Sequence, residues 1–244
     1  VSSNLERRYR ALLTVLPAWY RAEREEEMVG IFFADRDDDL DLEHGWPGWG
    51  EAGATLGLAV RVRFGARRPA GAVVRLLALT GLLGQLVAAA QSWTVAARLG
   101  WGEGRSVLWY DVLAAVAFVA LVSGRRAVGR VAGGLVGVAG LVAVGSTLVG
   151  FGPGSPWWPD VLWQLPVWVT AVAVLLGFHR EAPPVPRVWW AAVAVGLVGG
   201  VVSVVAASGL STATLLLAWL VAVAVVAAFR PWTARVTAPA TPSR

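Results

Sequence analysis

The chain has no cysteine and no lysine, one methionine, and only two histidines, His44 and His179, in 244 residues. Without thiols there are no disulfides and no thiolate metal sites, and two isolated imidazoles cannot make a histidine cluster. Charged residues are 15% of the chain, against about 25% in an ordinary soluble domain. The motifs of soluble catalysis are also missing: there is no G-x-x-x-x-G-K-[ST] phosphate loop, no H-E-x-x-H, and no nucleophile with a nearby His. A hydrolase embedded in lipid would need a Ser/His or paired-Asp arrangement inside its apolar segments, and none stands there. Neither enzymatic activity nor a metal or cofactor is expected.

What the chain has instead is apolar length. It is 57% hydrophobic with a mean hydropathy of +0.61, far outside globular composition. A helix needs about 20 apolar residues to cross about 30 Å of hydrocarbon at about 1.5 Å per residue. Six runs approach or reach that length: Leu76 to Ala97, Val107 to Ser123, Val131 to Phe151, Val161 to Phe178, Val188 to Ala207 and Leu210 to Phe229. Short connectors with turn residues separate them. The expected fold is all-α, a six-span transmembrane helical bundle over residues 71–230. A small cytoplasmic three-helix domain is expected over residues 1–70, and a disordered tail over 231–244. Whether the last two runs are full spans or a re-entrant pair stays open.

The 21 basic residues, all Arg, against 16 acidic ones give a net charge of +5. They form no single stripe, so direct nucleic-acid binding is not expected. Their placement instead sets an orientation, because cytoplasmic loops collect basic residues beside span ends. Arg61, Arg63, Arg67 and Arg68 precede the first run, Arg125, Arg126 and Arg130 join the second to the third, Arg180 and Arg187 join the fourth to the fifth, and Arg230 and Arg235 follow the last. The other side carries only Arg98 and Arg105. Both ends are therefore expected in the cytoplasm, with the first span directing insertion into the cell membrane and no signal peptide. Trp93, Trp101, Trp109, Tyr110, Trp157, Trp158 and Trp163 on the outer side, and Trp189, Trp190 and Trp232 on the inner side, are expected to form interfacial belts.

Polar groups inside the runs are few. Arg75 stands at the cytoplasmic start of the first, where it is expected to snorkel to the headgroups. Asp111 lies about one turn into the second, with Arg98 or Arg105 as its expected partner at the rim. Deeper positions offer Gln85, Ser146, Thr147, Gln164, Thr170 and Ser203, and Pro166 is placed to kink the fourth span. Gln85, Asp111 and Gln164 are the candidate intramembrane polar site. Gly133 with Gly137, and Gly196 with Gly200, have the spacing that lets helices approach closely, within the chain or in a homo-oligomer.

The first 68 residues read as three helices. Leu5, Tyr9, Leu12, Leu13 and Leu16 share one face of the first, which opens at Ser3 or Asn4 with Glu6 in its first turn. The second starts near Pro17 and places Tyr20, Arg24, Met28, Ile31 and Phe32 in one stripe, with Arg21 four residues before Glu25. The third runs from about Trp49 to Phe64, its Arg-rich end at the membrane. Between them, the alternating acids from Asp35 to Glu43 fail as a calcium loop, since Leu40 stands where a Gly is needed and Trp46 where a bidentate Glu belongs.

The run Leu5-Glu-Arg-Arg-Tyr-Arg-Ala-Leu-Leu, followed by Leu16-Pro-Ala-Trp-Tyr-Arg-Ala-Glu-Arg-Glu-Glu-Glu-Met28, resembles the permease prefix domain of bacterial membrane proteins and, more loosely, HAAS-type signalling modules. The shared elements are the Arg-rich helix, the Leu16-Pro17 break, the Tyr20-Arg21 pair, and Glu26-Glu27-Met28. The resemblance implies docking or signalling, beside a permease-like membrane domain or a PadR-type regulator, and no catalytic residues. Arg21, Glu26 and Glu27 are the candidate docking residues. The expected function is that of a regulatory or accessory membrane protein. A permease subunit or small-solute transporter, and a structural assembly module, are the alternatives.

Overall fold

The computed structural model describes residues 4–34, 46–65, 69–99, 108–150, 158–179 and 182–207, with scattered helical residues between 213 and 224. The acidic loop, Arg105, Trp101, Trp157 and the tail after residue 230 lie outside the described residues. The fold is all-helical, and two compact units divide it, Val1–Gly71 and Ala72–Arg244.

In the first unit α1 is Asn4–Leu13, α2 is Ala18–Phe33 and α3 is Trp49–Phe64. Helix α1 winds down through three tight bonds, Thr14 N to Ala11 O, Val15 N to Leu12 O and Leu16 N to Leu13 O. Pro17, at φ −58°, has no N–H to extend α1, and its carbonyl accepts from Tyr20 and Arg21 to start α2. The apolar face read from the sequence is buried: Tyr9, Leu13 and Leu16 meet Val29 of α2 and Ala59 of α3. Tyr9 stacks on Phe32 with ring centroids 3.9 Å apart. That stack turns α2 so that Val29, Met28 and Phe32 face inward, while Ile31, expected in the core stripe, is 70% exposed. Gly48 enters α3 at φ +95°, a conformation that side-chain-bearing residues rarely adopt. Small residues, Ala52, Thr55 and Ala59, line the buried side of α3. Arg63 donates to the Val15 carbonyl at 2.7 Å.

The second unit comprises most of α4 (Pro69–Leu99), then α5 (Leu108–Val122), α6 (Arg126–Gly150), α7 (Trp158–Gly177) and α8 (Val188–Ala207). Pro69 opens α4 at a position where its missing N–H costs nothing, so the helix starts seven residues before the apolar run. Gly124, at φ +80°, ends α5, and Arg125 N returns to Ala120 O at 2.7 Å while Gly124 N returns to Leu121 O. This left-handed cap reverses the chain directly into α6. The core is Leu79, Leu82, Leu83 and Leu86 of α4 against Phe118 and Leu121 of α5, Val136 of α6, Val174 and Phe178 at the end of α7, and Trp189 of α8. Trp189 is fully buried and edge-on to Phe118 at 6.4 Å. It belongs to the core and not to the interfacial belt expected from the sequence.

Three helical segments are long and apolar enough to cross a membrane: Ala70–Arg98, Arg126–Ser146 and Val188–Ala206. The apolar stretches of α5 and α7, Tyr110–Val122 and Gln164–Gly177, are shorter. Only 28% to 44% of the three long segments is buried. Val131, Leu135, Val138, Leu141 and Val142 along α6, and Val198, Val201 and Val202 on α8, point outward. Such continuous apolar faces suit hydrocarbon and not water.

Candidate functional sites

Helices of the second unit approach through missing side chains, and those approaches fix which polar groups meet. A Cβ on Gly81 would collide with Thr170, and one on Gly177 would lie 3.2 Å from Arg75 Cγ and from Val74 Cγ1. Helices α4 and α7 therefore run antiparallel, with Gln85 level with Pro166. Gly133 likewise meets Val174, Gly137 meets Ala171, and Gly140 meets Trp168 and Gln164, so α6 and α7 are antiparallel as well. Gly200 approaches the Val87 carbonyl, 3.2 Å from where its Cβ would be, beside Ala90 and Gln91 of α4. The glycines whose spacing pointed to close approach at Gly133, Gly137 and Gly200 thus meet partners within this chain.

The three candidate polar residues occupy separate places. Asp111, in the first turn of α5, accepts a 2.7 Å hydrogen bond from the Trp93 indole of α4. A carboxylate at a helix N-terminus also complements the positive end of the helix dipole. This bond is compatible with the arginine partner, Arg98 or Arg105, expected for Asp111 and with the interfacial place expected for Trp93, which is 41% exposed. Of those arginines, Arg105 is outside the described residues and Arg98 is exposed. Both amide atoms of Gln85 are buried without a hydrogen-bond partner among the described residues, as are Gln164 Oε1, Trp168 Nε1 and Trp189 Nε1. Gln164 and Trp168 lie one turn apart on α7 and both face Gly140. Pro166 stands between them inside a continuous helix and lacks the N–H that would serve the Leu162 carbonyl. The Thr170 hydroxyl donates to the Pro166 carbonyl at 2.6 Å.

Two residues escaped the sequence reading. Gln91 Nε2 donates to Ser203 Oγ at 2.9 Å, joining α4 to α8. Its position six residues beyond Gln85 in the same apolar run, as a second amide, is the signal that would have found it. The Trp219 indole donates to the Thr80 carbonyl at 2.8 Å. Arg75, expected to reach outward, is 1% exposed. Because α7 runs antiparallel, its last residue Gly177 packs on the Arg75 side-chain stem, and a helix C-terminus favours positive charge.

In the first unit, Arg10 is the hub. It binds Glu26 through two bonds of 2.7 and 3.0 Å, Glu6 at 2.9 Å and Glu25 at 3.5 Å. Hydrogen bonding to Arg10 holds the Glu26 carboxyl below its usual range, and the same bonds raise the Arg10 guanidinium. Glu26 therefore ties α2 to α1. Glu27 pairs with Arg24 at 2.9 Å, and Arg21 lies 3.9 Å from Glu25 at one-third exposure. Tyr9 donates to Glu51 of α3 at 3.1 Å. No protein-family model, curated protein or solved structure matches the chain.

Proposed function

We propose that this chain is a six-span protein of the cell membrane with both ends in the cytoplasm, without catalytic activity, whose N-terminal helices dock a regulator or a transport partner. The observation that carries the membrane reading is the outward apolar face of α4, α6 and α8, of which less than half is buried. The basic turn Gly124-Arg125-Arg126 and the basic stretch before α4 argue for the orientation. The last apolar run, Leu210 to Phe229, supplies the sixth span. Its topology is tested by single cysteines in this cysteine-free chain. Ala11→Cys and Ser123→Cys should resist an impermeant maleimide in intact cells and react after permeabilisation, and labelling of either in intact cells refutes the orientation.

The docking reading rests on α2, where Arg24 and Glu27 project outward while Val29 and Phe32 hold the core, and on the likeness of its sequence to prefix and HAAS-type modules. A PadR-type regulator or a transporter subunit is the partner class. Affinity capture from crosslinked membranes, using the full chain and an Arg21→Ala/Glu27→Ala variant, tests it. Recovery of the same proteins with both refutes docking through these residues. Glu26 is left intact, because its loss would also loosen α1 from α2.

A second reading, solute transport, is favoured by the Gln85 amide and Gln164 Oε1, buried without hydrogen-bond partners among the described residues near Pro166, since buried polar groups without partners are costly. Gln85→Ala should then change flux in proteoliposomes. Flux no greater than that of empty vesicles removes this reading.

A further inference from the structure

Helix α3 keeps one side against α1 and leaves a different side bare. Ala52, Thr55 and Ala59 are buried, whereas Trp49 is 85% exposed, Leu56 52% and the preceding Trp46 53%. Trp49, Gly53, Leu56 and Val60 follow one another at intervals of four, three and four residues and so share one face. Trp46 lies beside Trp49, ring centroids 6.1 Å apart. No acidic residue interrupts this face: Glu51, the acid of α3, is turned to the Tyr9 hydroxyl. At the far end come Arg61 and Arg63, both exposed, and then Arg67 and Arg68 in sequence. A soluble three-helix unit does not ordinarily leave two tryptophans and a leucine in water on one stripe.

We propose that this face of α3 lies in the interfacial layer of the membrane, seated on anionic phospholipid, and anchors the first unit to the bilayer surface. Three features select lipid as the occupant. Four residues separate Phe64, the end of α3, from Pro69, the start of the first membrane-crossing helix, a reach of no more than about 18 Å at about 3.6 Å per residue step. The C-terminal end of α3 is thereby tethered within that distance of the start of the membrane-crossing helix. Tryptophan, with a broad apolar ring and one polar N–H, is the residue type that partitions to this layer. The basic end complements anionic headgroups, and glycines at positions 50, 53 and 57 leave the face low enough to settle among them.

The inference rests on the membrane-crossing reading above, and the experiment separates the two. The full chain is placed in nanodiscs containing phosphatidylglycerol, with one nitroxide at Gly53→Cys, at Ala11→Cys on exposed α1, or at Val138→Cys on the outward face of α6. Nothing lies within 4 Å of a Cβ at Gly53 or at Gly57, so Gly57→Cys serves as a second, independent probe. The ratio of oxygen to water-soluble nickel collision rates should be several-fold higher at Gly53 than at Ala11, and should fall when phosphatidylcholine replaces the anionic lipid. A ratio at Gly53 and Gly57 equal to that at Ala11, with Val138 lipid-exposed, overturns this inference alone. Low collision with both reagents at Gly53 overturns it in favour of a protein cover. An unchanged ratio in phosphatidylcholine overturns the anionic requirement, and a water-exposed Val138 overturns the membrane reading itself.

Discussion

Replacing Gly137 by Ala inserts one methyl group into the α6–α7 contact, where the new Cβ would stand 2.8 Å from the Cβ of Ala171. Carbon atoms rest at about 3.5–4.0 Å, so the two helices must part by about 1 Å along a seam that Gly133 and Gly140 also hold closed. Overpacking of this kind costs about 1–3 kcal/mol, partly offset by the helix preference of Ala over Gly, about 1 kcal/mol. Gly134→Ala is the matched control: its Cβ would meet Leu175 Cδ2 at an ordinary 3.7 Å, so it should be neutral or gain up to about 1 kcal/mol. The two variants should thus differ by about 1–3 kcal/mol, which for a domain of this size is about 2–12 °C in thermal midpoint. Thermal unfolding in detergent, followed by circular dichroism beside light-scattering mass, gives the answer. A Gly137→Ala midpoint at or above that of Gly134→Ala refutes the packing argument. A fall in oligomer mass at unchanged midpoint would mean that Gly137 faces a second copy of the chain and not α7.

The Arg10–Glu26 tie should depend on pH. The folded-state Glu26 carboxyl is depressed by Arg10, so its stabilisation is complete above the unfolded value of about 4.3 and disappears as pH falls through the folded value. Glu26→Gln should therefore lower the melting midpoint at neutral pH, by an amount that shrinks steadily as the pH falls below the unfolded value, and a difference that does not change with pH would refute the pairing. Gln91→Leu and Ser203→Ala should each destabilise the bundle, and the double-mutant cycle should return a coupling of about 0.6 kcal/mol, and no more than about 1.7; zero coupling would show that the hydrogen bond contributes nothing. Gly48→Ala forces a side chain into φ +95°, a strain of about 1–3 kcal/mol, and should lower protease resistance of the N-terminal helices without altering that of α6.

The all-helical class was legible because six long apolar runs leave little else to build, and α8 follows its run residue for residue, from Val188 to Ala207. Helix rotation was less legible. Ile31 sat in a plausible stripe by spacing alone, but the Tyr9–Phe32 stack is a contact between separate helices, and it moves the inward side of α2 toward Val29. Trp189 was misplaced for a related reason. Composition puts tryptophan at interfaces, whereas a ring edge-on to Phe118 depends on which face α5 turns to α8, and no local pattern records that.

The polar groups carry the same lesson further. Arg10 and Glu26 are 16 residues apart and Gln91 and Ser203 are 112 apart. Their pairing depends on how two helices are rotated and slid, while the sequence offers only i, i+4 neighbours such as Arg21 and Glu25. The glycines supply the missing register. Once Gly81 is set against Thr170 and Gly177 against Arg75, antiparallel α4 and α7 bring Gln85 level with Pro166, and Arg75 alongside the C-terminal end of α7. Gly140 likewise sets Gln164 and Trp168 over α6. Close-approach glycines and buried polar groups are therefore one system. The glycines decide which polar side chains are buried, and among the described residues the Gln85 amide and Gln164 Oε1 are buried without hydrogen-bond partners. A helix pair that parted at Gly81 or Gly140 would give those amides room to reach one another or a solute. The Gly140→Ala variant should thus alter any activity that depends on Gln164 before it unfolds the bundle.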